Sequence, residues 1–142
     1  MAASGSPNPM ISPATCAQKR VLLIDDNADA ASMMQALLSA LGYTVEAASS
    51  GSEGLALAQS FQPHVVFLDL GMPIMSGYEV ATALRRMPAL GDVFLLALTG
   101  WNDQATRKAV IAAGFDRHLV KPPNFQQITA ILDEHFDARF AA

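Results

Sequence analysis

The sequence predicts an α/β fold built on a parallel sheet. Short β-type runs alternate with helical segments five times between about Arg20 and Phe140, and the connections between them are short. Three of the five runs are almost continuously apolar, as strands covered on both faces must be. The strands are read at Arg20–Ile24 (RVLLI), Thr44–Ala48 (TVEAA), His64–Leu68 (HVVFL), Val93–Leu98 (VFLLAL) and His118–Val120 (HLV). The first helix runs from about Asp29 to Leu41, with Ala30, Met34, Leu37, Leu38 and Leu41 on one stripe and Gly42 as its stop. Capping-box patterns open three later helices: Ser50 with Glu53, Ser76 with Glu79, and a looser Asn124 with Gln127. The fourth helix spans about Asp103 to Ala113 and closes at Gly114.

Length and composition bound the rest. The 142 residues suit one domain, and 51% hydrophobic against 15% charged residues gives ample material for a core. A net charge of −4, with the nine Lys and Arg scattered, argues against a nucleic-acid-binding surface. Cys16, the single cysteine, excludes an internal disulfide and a multi-cysteine zinc site. No apolar run reaches the roughly 18 residues of a membrane span, and no secretory signal is visible. The expectation is a cytoplasmic domain over residues 19–140. Residues 1–18 carry no charge and hold three of the eight prolines, which reads as a flexible Pro/Ser/Gly-rich tail.

Ligands of an open parallel sheet bind outside the carboxyl ends of its strands. Asp25 and Asp26 follow the first strand, Asp69 the third, Thr99 the fourth and Lys121 the fifth. Each has an ordinary alternative: Asp25-Asp26-Asn27 as a turn and helix cap, Asp69 as a loop starter, Thr99 before Gly100 as a turn residue, Lys121 as a solvated loop lysine. Their coincidence at four strand ends is what points to chemistry. Crowded carboxylates need a cation, and an oxygen-only donor set suits Mg²⁺.

These residues carry a family resemblance. From about Arg20 to Phe140 the chain resembles the receiver domain of two-component response regulators, through the acidic pair in LLIDDN, the D-x-x-x-P-x-x-x-G block DLGMPIMSG, Thr99 in LALTG and Lys121-Pro122 in HLVKP. The resemblance implies a flavodoxin-like (βα)5 doubly wound five-stranded parallel sheet of order 2-1-3-4-5. It makes Asp69 the phosphoacceptor, and Asp25, Asp26, Asp69 and the backbone carbonyl of Gly71 the ligands of Mg²⁺, with Mn²⁺ as a substitute. Lys121 and Thr99 would contact the phosphoryl oxygens, and the Lys121–Pro122 bond would be cis. One divalent ion and one ammonium would balance the three carboxylates, so phosphoryl transfer should be metal-dependent.

The resemblance also implies a switch in which Thr99 moves to the phosphoryl group and His118, three residues before the lysine, turns inward. Gly71 and Trp101 occupy positions that tune dephosphorylation in the family, and here imply slow hydrolysis. Ser76 stands where the family often has Asp and can cap the helix equally well. His64 and His135 are read as surface or core-edge residues, and Met33, Met34, Met72, Met75 and Met87 as core or loop filler. The implied partners are a histidine kinase or histidine phosphotransfer protein and a downstream protein on the helix 4–strand 5–helix 5 face. No nucleic acid, no membrane and a monomer or weak dimer are expected. The implied activity is self-catalysed phosphoryl transfer and dephosphorylation rather than enzyme turnover. A detached receiver of a hybrid kinase, whose modules the wording LTGW…AGFDRHLVKPP resembles, stays open. So does a small aspartyl-phosphate phosphohydrolase, although Gly71 stands where such enzymes need a second acid.

Overall fold

The computed structural model describes residues 19–101 and 103–140, the side chains as far as residue 137. The tail expected over residues 1–18 lies outside them. The chain runs β1 (Arg20–Ile24), α1 (Ala28–Ala40), β2 (Thr44–Ala48), α2 (Gly51–Phe61), β3 (Val65–Asp69), α3 (Gly77–Arg86), β4 (Phe94–Thr99), α4 (Gln104–Ala112), β5 (Arg117–Val120) and α5 (Phe125–Phe140). A 3-10 turn at Pro88–Leu90, not foreseen in the sequence, leads into β4. No helix among the described residues is long and apolar enough to cross a membrane.

The five strands are parallel, in the order β2-β1-β3-β4-β5, as expected. Alternation along each strand divides the core into two layers. Val21, Leu23, Phe67, Leu96, Leu98 and Leu119 pack under α1 and α5, against Met34, Leu38, Ile128, Leu132 and Phe136. On the opposite face Leu22, Ile24, Val66, Leu68, Leu95 and Ala97 meet Ala58 of α2, Val80, Ala81 and Leu84 of α3, and Val110 of α4. Burying each large side chain contributes roughly 1.5–3 kcal/mol, so the sheet is held from both sides and its carboxyl edge is a firm platform.

Several sequence boundaries shift. β3 and β4 each begin and end one residue later than expected, so Asp69 and Thr99 are the last residues of their strands rather than the first beyond them. Asp69 pairs with Leu98 and Thr99 with Val120 in the ladders. Arg117 joins β5, and Ala28 opens α1. On α1 the expected stripe narrows to Met34 and Leu38 as buried residues; Leu41 is the C-cap and lies exposed. Ser76 and Glu79 form the full capping box, whereas Glu53 reaches one residue further back, accepting from the N–H and Oγ of Ser49. Asn124 accepts from the N–H groups of Gln126 and Gln127.

At the amino edge, the two remaining histidines take core-edge places. His64 Nδ1 accepts from the Arg20 N–H at 3.0 Å, and the His135 ring stacks on Phe94 with centroids 4.2 Å apart.

Candidate functional site

The site is built at the carboxyl edge of the sheet by the ends of β1, β3, β4 and β5. Behind β1, the Asp25 N–H donates to Ala48 O of β2, extending the ladder by one residue. Asp25 Oδ1 accepts from the Asn27 N–H at 2.9 Å, and Asn27 Oδ1 in turn accepts from the Ala30 N–H at 2.9 Å. The capping role therefore falls to Asn27 alone. That leaves Asp25, which is buried, and Asp26, which is exposed, to face the third carboxylate.

Asp69 ends β3 with 5% of its surface exposed. One ligand oxygen from each of Asp25, Asp26 and Asp69 can be chosen so that all lie within 4.8 Å of one another. Gly71 sits beside them, its N–H donating to Asp69 Oδ1 at 3.0 Å. From the other side comes Lys121. Its N–H donates to Thr99 O at 2.8 Å, carrying the β4–β5 pairing one step past β5. Its Nζ then stands 3.0 Å from Asp69 Oδ1 and 3.7 Å from Asp25 Oδ2. The Lys121–Pro122 peptide is cis.

The two buried aspartates titrate in opposite directions. Burial pushes the Asp25 carboxyl up, and the neighbouring Asp69 charge adds to this beyond what the Asn27 N–H and Lys121 offset. Asp69 is also opposed by burial, but the Gly71 N–H and the Lys121 ammonium together outweigh that and hold it below the usual carboxylate range. Asp69 is thus favoured as a carboxylate, whereas Asp25 carries its charge at a cost. Three oxygen donors in one cluster, one of them charged at a cost, fit a hard divalent cation.

The pair gives a stability prediction. A group whose folded pKa is raised favours the fold at low pH and loses that contribution as pH rises through the folded value. At neutral pH, without divalent ions, ionised Asp25 therefore opposes folding. Asp25→Asn should raise Tm by about 3 °C at pH 7, with the gain vanishing as pH falls below the ordinary aspartate value. Added Mg²⁺ should raise the Tm of the parent more than that of the variant. Thermal melts at several pH values, with and without Mg²⁺, check both signs; a lower Tm for the variant at pH 7 would show that Asp25 is stabilised as a carboxylate.

Thr99 is buried at the end of β4, where its Oγ1 accepts from the Trp101 N–H at 3.1 Å. His118 pairs with Ala97 across β4–β5, two residues before Thr99 in the ladder, so both project from the same face of the sheet. His118 is half-buried and Trp101 is 71% exposed. Asp25, Asp26, Asp69, Gly71, Thr99 and Lys121 thus lie at one edge, with His118 further back along β5; Asp25, Asp26 and Asp69 are clustered, Lys121 reaches Asp25 and Asp69, and Gly71 bonds Asp69.

A family model of the response regulator receiver domain matches residues 21–133. The chain belongs to that family. Among curated relatives, the transcriptional regulatory protein PrrA of Mycobacterium tuberculosis is 37% identical over 103 residues, covering 72% of this chain and 43% of PrrA. The DNA-binding dual master transcriptional regulator RpaA of Synechocystis is 32% identical over 111 residues, covering 78% of this chain and 46% of RpaA. The receiver therefore spans less than half the length of these regulators. Among solved structures it is similar to the chemotaxis protein CheY4 of Vibrio cholerae, with a TM-score of 0.78 and 32% identity over 81% of this chain and 96% of that one.

The receiver carries features beside Asp69 that its sequence did not announce. A cleft of about 750 Å³ opens between α1 and the start of α5, lined by Met33, Leu37, Pro123 and Phe125, with Asp25 and Lys121 at its polar end. Met33, read as filler, is 76% exposed there. The period-3.6 pattern marks Met33 as off the buried stripe but gives no sign that α5 begins opposite it.

Proposed function

We propose that this receiver accepts a phosphoryl group on Asp69 from a phosphohistidine of a histidine kinase or histidine phosphotransfer protein, in a reaction that requires Mg²⁺ or Mn²⁺. It is read as a cytoplasmic signalling domain, not a turnover enzyme, with its downstream protein partner on the α4–β5–α5 face. The observation that carries this reading is the 3.0 Å contact from Lys121 Nζ to Asp69 Oδ1 inside a three-carboxylate cluster. It supplies an ionised nucleophile, a fixed cation beside it and a donor set for a second.

Phosphoryl transfer asks little covalent help of the protein beyond positioning and neutralisation of the equatorial oxygens. An Asp69 carboxylate oxygen attacks phosphorus, the P–N bond to the donor imidazole breaks, and the imidazole keeps the electron pair. A divalent ion, which Asp25, Asp26, Asp69 and the backbone carbonyl of Gly71 would hold, would supply charge neutralisation at the phosphoryl oxygens. Lys121 exchanges part of its carboxylate contact for those oxygens. Thr99, whose Oγ1 already accepts from Trp101, keeps its hydroxyl proton to donate. The same-face placement of Thr99 and His118 lets a shift of one open or close space for the other.

Intact mass after incubation with acetyl phosphate tests the reading. The parent should gain about 80 Da only with Mg²⁺ present, and Asp69→Asn should gain nothing. No adduct in the parent, under conditions that modify another receiver, would leave a binding module that works without phosphate. Phosphate release without an adduct would point to a phosphohydrolase.

A further inference from the structure

The cleft between α1 and the start of α5 has two ends of different chemistry. Met33, Leu37, Pro123 and Phe125 form its walls, over the buried side chains of Leu98 and Ile128. Met33 is 76% exposed and Phe125 48%, so the walls stand open to water instead of closing on each other. Apolar surface held open in this way is a cost that a ligand can remove. The volume of about 750 Å³ suits a small organic molecule and far exceeds what one ion needs.

The polar end is formed by Asp25 and Lys121. Asp25 Oδ1 accepts from the Asn27 N–H at 2.9 Å, whereas Oδ2 lies 3.7 Å from Lys121 Nζ, beyond hydrogen-bond distance. Lys121 Nζ sits closer to Asp69, at 3.0 Å, and Asp26 completes the carboxyl cluster. Three carboxyl groups thus share one ammonium, which leaves this end anionic. An anionic ligand would be repelled there, and a neutral one would leave the excess charge unbalanced. A protonated amine balances it and brings N–H donors that Asp25 can accept. A metal ion alone would fill the polar end and leave the apolar walls bare. A molecule with a cationic head and an apolar body satisfies both ends.

We propose that this cleft is a binding site for a small amphipathic organic amine, with its ammonium at Asp25 and its apolar body between Met33 and Phe125. Head group and divalent ion draw on the same carboxylate, so the two exclude each other. The receiver thereby has a chemical input separate from phosphoryl transfer: bound amine holds Asp69 unmodified by keeping the ion away. The inference goes beyond the phosphoacceptor reading, because amine binding itself involves no phosphoryl chemistry.

Calorimetric titration of the full chain at fixed ionic strength tests it, with octylamine, octanol, octanoate and ethylamine as probes below their micellar concentrations. Octylamine should bind at least about tenfold tighter than each of the other three. Asp25→Asn should bring octylamine down to the affinity of octanol. Met33→Gln and Phe125→Gln should each weaken octylamine about threefold to fivefold, and Met33→Gln, at an exposed position, cannot do so by unfolding the core. Mg²⁺ should raise the apparent Kd of octylamine, and octylamine should slow modification by acetyl phosphate in a way that more Mg²⁺ reverses.

Octanol or octanoate binding as tightly as octylamine would overturn the proposal, and so would octylamine binding equally to Asp25→Asn. Ethylamine matching octylamine would mean a cation on an acidic cluster with no role for the cleft, and would overturn it too. So would the absence of binding by all four probes, or glutamine variants that change only self-association in sedimentation, which would give the cleft to a second copy of the chain. A parent that binds octylamine but takes no phosphate from acetyl phosphate would overturn the phosphoacceptor reading and leave this site standing.

Discussion

Replacing Arg85 with alanine should lower the unfolding free energy by about 3 kcal/mol and Tm by roughly 10 °C. Arg85 lies in the last turn of α3, with its side chain 24% exposed. Its Nε and Nη2 donate to Gly114 O at 3.0 and 2.7 Å, and its Nη1 donates to Gly91 O and Val93 O at 2.8 and 2.6 Å. Nη2 also meets Asp116 Oδ2 at 2.9 Å, and that oxygen accepts from the Leu95 N–H at 2.9 Å. One planar fork thus joins the end of α3, the entry to β4 and the turn from α4 to β5.

Hydrogen bonds to a charged donor contribute about 1.5–3 kcal/mol each, and stranded carbonyls add a desolvation cost. Partial exposure lets water reach some of them, which is why the expected loss is far below the sum. Arg85→Lys should recover less than half of it, because a point charge cannot reproduce the fork. Urea unfolding of the three proteins checks the ranking; a loss below about 1 kcal/mol for alanine would mean that water replaces the fork almost fully.

Arg85 also shows where sequence reading stops. Its partners lie 6, 8, 29 and 31 residues away, and most are backbone carbonyls, which every residue possesses. No residue type at those positions advertises the contact. Asp25, Asp69, Thr99 and Lys121 were legible for the opposite reason: a polar residue directly after an apolar strand breaks a pattern, and the parallel topology brings such breaks to one edge. The same break caused the one-residue error in β3 and β4. Asp69 and Thr99 interrupt the apolar run, yet their backbones still pair, and periodicity cannot see a hydrogen bond. Ile74 escaped notice because positive φ is ordinarily signalled by Gly or Asn, and here an isoleucine occupies it.

Gly77→Ala should couple loss of stability to loss of phosphorylation, and so test whether the start of α3 holds Asp69 in place. Gly77 is the first residue of α3, and a Cβ there would stand 2.6 Å from Asp69 O, 2.8 Å from Leu70 Cα and 3.0 Å from Leu70 Cδ2. The two nearest atoms belong to the backbone and cannot swing aside. Gly54 differs: its Cβ would meet Cδ1 of the Ile24 side chain, and the end of a side chain can turn. Alanine at 77 must therefore lift α3 or displace the peptide of the phosphoacceptor itself.

The expected cost is about 3 kcal/mol, with slower Mg²⁺-dependent phosphorylation by acetyl phosphate at a temperature where the variant is fully folded. Ser76→Ala is the matched control. It removes the cap one residue earlier, where Ser76 Oγ accepts from the Glu79 N–H at 3.4 Å, and should cost about 1 kcal/mol without changing the rate. If Gly77→Ala loses stability but keeps the parent's rate, α3 has moved and Asp69 has not. If both fall together, the geometry of the nucleophile depends on a hydrogen atom where every other residue carries a carbon.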